Sequence, residues 1–563
     1  MKKRTVFKYI AIVLSILIIG CLAYYQAEIQ KKGLGRRSYL KEKIVLLYTN
    51  DVHCAVDKYV GYAGVAAYKK KLKTQNDHVL LVDCGDAIQG EYIGTISEGK
   101  YIADIMNKTG YDLAVCGNHD FAYGMKSISS IISNSKAKYI NSNITYEGNN
   151  TNMLSQTASY TVIAFGETKI GFVGITTPST TSTSIPACFM EDGKFVYNFQ
   201  GKNNGKDLFE KVQQAVNACK RDGADYVIAL SHLGVGTGCE PFSSTNLIAN
   251  TVDIDIVLDA HSHTTIPCAV KKNKADKDVI LTSTGEKLRA VGVVTISSKG
   301  IFTELKSDIT EKDPEVSEYI ANIKKSYDQE LRKVVGTSDT LLSCYNENYV
   351  RIVRNRETNI GDFICDALLH STEGDIAVFN GGSIRGDLPQ GEITLRTLNS
   401  INGFNNMIYK TRVTGQEIMD MLEMSYRKTM PMITNDGKWS VGENGGFLQL
   451  SGLKCAIDTS IPTSVITDDN GMFVKVGEWR RVKDIMVKNK EGIYEPIEPQ
   501  KSYVVVSTDY LIKESGDGIS NLSNHEILLD GTISVTQSIL DYFKSFNGNL
   551  NKYAKPDGRI KIK

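Results

Sequence analysis

The chain has 563 residues, 42% of them hydrophobic and 23% charged, with a formal net charge of +1. That length exceeds what one hydrophobic core organises and predicts two domains plus extras. The balanced charge offers no basic surface to a nucleic-acid polymer, and the composition is that of a globular chain rather than a disordered one.

Met1-Lys2-Lys3-Arg4 and Lys8 precede an apolar run from Tyr9 to Tyr25, and a polar stalk follows from Gln26 to Lys43. The run is short for a spanning helix and long for a signal-peptide core. Its basic flank places the amino end in the cytoplasm by the positive-inside rule. Residues 1–40 are therefore predicted as an N-terminal membrane anchor or signal and stalk, with an uncleaved anchor favoured. Ile18-Ile19-Gly20-Cys21 also loosely fits a lipoprotein cleavage box, and a cleaved signal is the third alternative. In each case the catalytic part is expected outside the cytoplasm, secreted if the segment is cleaved.

Five short apolar runs come next, each bounded by Gly, Asn or Asp and each predicted as a buried strand. KIVLLYTNDVH ends in Asp51 and His53, HVLLVDCGD in Asp83 and Asp86, and YDLAVCGNHD in Asn118, His119 and Asp120. ADYVIALSHLG ends in His232, and VDIDIVLDAHSH in His261 and His263. A strand that delivers polar residues only at its carboxyl end is how a sheet builds a site, because ligands collect in the crevice there. Of eight histidines in the chain, five sit in these strand ends. Asp, His and Asn suit Zn, Mn or Fe, and two such cations can clamp the attacking and leaving oxygens of a phosphoryl group. A lone His-x-His is more often solvated, and Asp83 alone is a loop-capping carboxylate; the ordered set is what points to metal.

The succession TNDVH, GD-x-x-QG, GNHDF, SHLG, HSH resembles the calcineurin-like metallophosphatases, specifically the 5′-nucleotidase branch. That resemblance implies two divalent metal ions (Zn, Mn or similar). Asp51, His53, Asp86 and His263 would hold one; Asp86 as the bridge, Asn118, His232 and His261 would hold the other. His119 would face the phosphate as proton donor or charge stabiliser. Two departures stand out. Nucleotidases of this branch usually follow the Asn-His pair with Glu-Phe-Asp, whereas here Asp120-Phe121-Ala122 follows. His119 thus loses the carboxylate that orients it and raises its pKa, unless Asp120 substitutes. His263 stands where nucleotidases often carry an amide.

VGVVTIS (Val291 to Ser297) is predicted to end the first domain's sheets. From Pro314 to Val335 apolar residues recur at helical spacing, which predicts a helix joining two domains; a surface helix of the first domain fits the spacing equally. The expected divisions are 41–310 for the metallophosphatase domain, 311–335 for the linker helix and 336–563 for the substrate-binding domain. Eleven cysteines show no repeated spacing, and no disulfide pairing can be argued from them.

The second half has no metal-like cluster. VRNRETNIGD carries Arg354, DIAVFNGGSIRGDL is a strand running into a glycine-rich turn with Asn380 and Arg385, and VVVSTDYLIKESGDG ends with Tyr510 and Asp517. Glycines let a backbone approach a ligand, and arginine suits phosphate. Taken singly these are ordinary surface or core residues. Together they resemble the carboxyl-terminal domain of 5′-nucleotidases, where Arg354, Arg385 and Asn380 would hold the nucleotide. Phe404 and Tyr510 would sandwich the base and Asp517 would take the ribose hydroxyls. Gly403 replaces the usual proline, and the Tyr510–Asp517 loop is one residue longer.

The expected fold class is α/β, a four-layer metallophosphatase sandwich of two facing sheets flanked by helices, plus an α+β nucleoside-binding domain. The expected function is an extracytoplasmic dinuclear-metal phosphohydrolase releasing phosphate from nucleoside 5′-monophosphates. The alternatives are a 2′,3′-cyclic-nucleotide phosphodiesterase or nucleotide-sugar hydrolase and, from another class, a non-catalytic nucleoside-binding surface protein.

Overall fold

The computed structural model describes residues 42–563 apart from 405, 432, 436, 437 and 441. The anchor, lipoprotein and signal expectations, and Cys21, fall outside the described residues. Among those described, no helix is long and apolar enough to cross a membrane.

Strands β1 (Ile44–Thr49), β2 (His78–Asp83), β3 (Leu113–Ala114) and β4 (Lys138–Tyr139) pair in parallel in chain order. Helices α1 (Gly61–Lys73), α2 (Lys100–Thr109) and α3 (Gly124–Asn134) connect or follow them. Every residue of β1 is buried, because side chains alternate between two covered faces. Val45 and Leu47 pack with apolar residues of the helices, while Ile44, Leu46 and Tyr48 point into a second core.

That second core is closed by another sheet. It contains β5 (Tyr160–Phe165), β6 (Thr168–Thr176), β7 (Tyr226–His232), β8 (Ile256–Leu258), β9 (Thr265–Lys272) and β10 (Asp278–Thr284), in the order β9-β10-β8-β7-β6-β5. Phe172, Ile228 and Leu230 meet Ile44, Leu46 and Tyr48 between the sheets. On the outer face Val173, Val227 and Ala229 pack against Leu208, Val212 and Val216 of α4 (Lys206–Arg221). The chain then returns to the first sheet as β11 (Val291–Ser297) and β12 (Gly300–Lys306), completing the order β12-β11-β1-β2-β3-β4. Helix, sheet, sheet, helix is the expected four-layer sandwich. Tyr48 ties the two sheets through its hydroxyl, 2.7 Å from Thr282 Oγ1, and Gly292 leaves the room its ring needs, since a Cβ there would collide with it.

Helix α5 (Pro314–Leu331) lays Val316, Ile320 and Ile323 on the first domain's helical core. It is shorter than the spacing predicts. Val334 and Val335 begin a strand, Val334–Ser338, paired antiparallel with Gly391–Thr394, as suits a β-branched pair.

Beyond it, β13 (Ile376–Asn380), β14 (Met407–Thr414), β15 (Leu448–Ser451), β16 (Ser502–Thr508) and β17 (Ile527–Ser534) form a mixed sheet in the order β15-β13-β16-β14-β17. Ile376 and Val378 face one core with helix α6 (Gly415–Tyr426), and Ala377 and Phe379 face the other. A four-stranded sheet built on Leu453–Ile457 and Val482–Lys488 extends the first of these cores. All ten described cysteines are free.

Candidate active site

The crevice at the carboxyl ends of β1, β2, β3, β7 and β8 gathers the residues singled out above. Asp51, His53 and His263 bring one donor atom each within 4.8 Å of one another, and Asp86, His232 and His261 do the same. Five of these six are strained. Asp51 (φ +49), His53 (+47), Asp86 (+60), His261 (+72) and His263 (+53) lie in the left-handed region, which non-glycine residues adopt mainly where surroundings enforce it. Glycines make the approach possible: a Cβ on Gly117 would strike Asp86 and His232, and one on Gly85 would lie 2.5 Å from Gly117 N.

Each orienting contact leaves a donor atom aimed inward. His53 Nδ1 lies 2.9 Å from Gln89 O, and His232 Nδ1 2.8 Å from Cys84 O; Nδ1–H donates in both, which leaves Nε2 with a lone pair. His53 Nε2 and His263 Nε2 then face each other at 3.1 Å. Asp51 accepts from Asn50 Nδ2 at 2.8 Å and from the His261 N–H at 3.0 Å. Asp86 stands between the groups, with Oδ2 3.2 Å from His232 Nε2 and 3.8 Å from His53 Nε2. Asn118 Oδ1 is buried with no hydrogen-bond partner, an expensive arrangement unless another electrophile meets it. Facing imidazole nitrogens, an orphaned amide oxygen and a shared carboxylate fit two divalent cations.

The electrostatics agree. Burial works against charge on Asp86 and His232, yet their mutual attraction outweighs it. The Asp86 carboxyl is held well below its usual range and His232 is pushed up to about 10. The carboxylate thus draws in positive charge, which a bound cation would supply instead.

His119 sits beside these groups, its ring 5.3 Å from that of His53. Among the described residues no carboxylate hydrogen-bonds its imidazole. Burial, reinforced against Asp86 by the guanidiniums of Arg385 and Arg354, pushes it down to about 3. Asp120 does not substitute for the missing partner. Its carboxylate accepts the N–H groups of Asp86 (2.9 Å), Gly117 (2.8 Å), Ala87 (3.1 Å) and Ile88 (3.2 Å). Asp120 therefore fixes the loops that carry Asp86 and Asn118 rather than touching reacting atoms, a correction to its expected catalytic part. Asp83 caps its loop as expected, through Thr49 Oγ1 and Gly85 N.

The second domain closes over the crevice. Thr95 Oγ1 donates to Gly403 O at 2.8 Å, and a Cβ on Gly403 would meet Gly90 O. Close approach of two backbones explains why this residue can be small. Phe404 is thereby set 5.8 Å from the His119 ring, with the Arg385 guanidinium 5.5 Å from its own ring centre. Arg354 pairs with Glu443 at 3.0 Å. Asn380 Nδ2 donates to Asp517 Oδ2 at 2.9 Å, and the Asp517 N–H donates to Tyr510 Oη at 3.0 Å. Asp517 is left-handed (φ +57) and largely buried, which pushes its carboxyl up to about 6. Phe404 and Arg385 thus stand beside His119, while Asn380, Tyr510 and Asp517 are joined by hydrogen bonds, with Arg354 near enough to act on both His119 and Asp517.

Sequence reasoning missed Glu286, whose Oε2 lies 3.2 Å from His263 Nδ1, since nothing in TSTGEKL marks it. A separate cavity of about 940 Å³ lies between α1 and α5. It is open, and its Lys324 and Arg332 are already paired with Asp57 and Asp328, so the chemistry rests with the donor groups.

Known proteins match accordingly. Residues 44–265 match the calcineurin-like phosphoesterase family and residues 334–524 the 5′-nucleotidase C-terminal domain. A trifunctional nucleotide phosphoesterase of Bacillus subtilis is 24% identical over 92% of this chain, which spans only 35% of that relative. A snake venom 5′-nucleotidase of Gloydius brevicauda is 24% identical over 89% of this chain and 86% of its own length. The crystal structure of a 5′-nucleotidase precursor from Thermus thermophilus superposes with a TM-score of 0.74 at 24% identity, covering 92% of this chain and 99% of that one. Fold and donor groups together define a metal-dependent phosphoester hydrolase. The chain belongs to the 5′-nucleotidase family of calcineurin-like phosphoesterases.

Proposed function

We propose that the protein releases phosphate from nucleoside 5′-monophosphates outside the cytoplasm. The observation that carries this reading is the placing of Phe404 and Arg385 beside His119, next to the donor groups, with Asn380 hydrogen-bonded to Asp517. Asp51, His53, Asp86 and His263 would hold one cation, and Asp86, Asn118, His232 and His261 the other. Such ions, when bound, polarise phosphoryl oxygens and acidify water. Arg385 and Arg354 bind the phosphate and neutralise its charge. Phe404 and Tyr510 hold the base, and Asp517, with Asn380, accepts the ribose hydroxyls. Burial favours the neutral form of His119; a phosphate dianion beside it would favour the protonated form, which can donate to the leaving oxygen.

The N-terminal basic and apolar run supports an extracytoplasmic, membrane-anchored location, as does kinship with a venom nucleotidase. Membership of a hydrolase family sets aside the binding-only alternative. Phosphate release from AMP, UDP-glucose and 2′,3′-cyclic AMP, measured side by side on the purified protein, tests the substrate. AMP turning over fastest is expected; preference for either of the others would move the assignment to the phosphodiesterase or nucleotide-sugar reading.

Stacking a base on an aromatic ring is worth about 1–3 kcal/mol. Phe404→Ala and Tyr510→Ala should each raise KM for AMP by about 5- to 150-fold, while p-nitrophenyl phosphate, which has no base, should be hydrolysed as before. Loss on both substrates alike would remove these rings from the base pocket.

The isolated imidazole of His119 gives a second expectation. Ala122→Asp should restore an orienting carboxylate and raise the rate on AMP, whose alkoxide leaves poorly, more than on p-nitrophenyl phosphate. Equal effects on the two would show that His119 is already held by other means.

A further inference from the structure

The loop after β10 is more strained than strand packing requires. Gly285 (φ +90), Lys287 (+56) and Leu288 (+57) put three of four consecutive residues in the left-handed region. Leu288 is a bulky residue only 1% exposed. Backbone of this kind costs about 1–3 kcal/mol per non-glycine residue and persists only where its surroundings over-determine it. Here they do. Asn50 Nδ2 donates to Gly285 O at 2.7 Å, the Lys287 N–H to Asp51 O at 2.9 Å, and the Val60 N–H to Leu288 O at 3.2 Å. All three anchors come from the segment that carries Asp51 and His53.

The residue this loop delivers is Glu286. Its Oε2 lies 3.2 Å from His263 Nδ1, with Lys287 Nζ at 3.5 Å. The other nitrogen of the same ring, Nε2, is 3.1 Å from His53 Nε2 and 3.7 Å from Asp51 Oδ1. His53 and His232 lean on main-chain carbonyls, whereas His263 leans on a carboxylate, a stronger acceptor that also adds negative charge behind this ring.

We infer that Glu286 is a positioning residue for a divalent cation held by Asp51, His53 and His263. By accepting the Nδ1–H of His263 it fixes the tautomer that presents the Nε2 lone pair to the ion and makes the imidazole a better donor. Histidine at position 263, in place of an amide, is useful because this carboxylate stands behind it. The inference rests on reading the two donor groups as a metal centre.

Titration of the metal-stripped full chain with Mn2+, followed by the loss of the free-ion electron paramagnetic resonance signal, tests it without recourse to activity. Wild type should take up two ions. Glu286→Gln should weaken one of the two sites by about 10- to 100-fold and leave the other unchanged, and Glu286→Asp should recover part of the loss. In a His263→Asn background, Glu286→Gln should add nothing, because the amide offers no Nδ1–H. Equal weakening of both sites, no weakening, or a full further loss in the His263→Asn background would overturn the assignment. A wild type that takes up no Mn2+ would bring down the metal-centre reading itself.

Discussion

Asp86→Asn should nearly abolish hydrolysis while leaving the fold intact. Removing a single charge-stabilising donor typically costs about 10²–10³-fold in kcat, and this substitution removes the charge shared by both donor groups, so the loss should exceed that range. Asp86 Oδ1 also accepts the His119 N–H at 2.8 Å, a contact the asparagine oxygen can keep. The backbone of the loop is held separately, by Asp120. Metal content should fall with activity, and circular dichroism should not change. A variant that retains two metals per chain and a normal rate would show that Asp86 does not stand between the ions.

His119→Ala should lower kcat on AMP by about 10²–10⁴-fold, the usual contribution of a positioned proton donor, with little change in metal content. The imidazole belongs to neither donor group, and its neighbours keep other contacts, Phe404 with Arg385 and His53 with Gln89 O. The defect should shrink on p-nitrophenyl phosphate, whose phenolate needs no proton. A loss of the same size on both substrates would make His119 a stabiliser of phosphoryl charge rather than a proton donor.

Much of this site was legible from residue order. Asp51, His53, Asp86, Asn118, His232, His261 and His263 each end a buried apolar run, and five of the chain's eight histidines sit there. Parallel strands buried on both faces leave their polar residues nowhere else to go. What could not be read are contacts between distant loops. Asp120 looked like a stand-in partner for His119 and proved to be a clasp for four backbone amides, an arrangement that depends on the fold of the β2 and β3 loops. Glu286 follows β10, far in sequence from the histidine it supports, with no periodicity or motif around it. The docking of Gly403 on Thr95 was equally invisible, since one stretch gives no sign of which surface it will meet. The end of α5 was misjudged because Val334 and Val335 continue the helical apolar spacing, while their β-branching and a partner strand decide otherwise.

The donors are divided between two sheets, the first four from one and the last three from the other, with Asp51 and His263 more than two hundred positions apart. No short stretch of nascent polypeptide can therefore capture a cation pair, and assembly of the centre has to wait until the sandwich has closed. Ions taken up at that point act as late rivets across the sandwich, binding the native state and not the unfolded chain. Their grip then adds to stability by mass action, about 2.7 kcal/mol when free ion stands at a hundred times its Kd. The ionic content of the surrounding medium would thus set the stability of the fold as well as its catalytic competence.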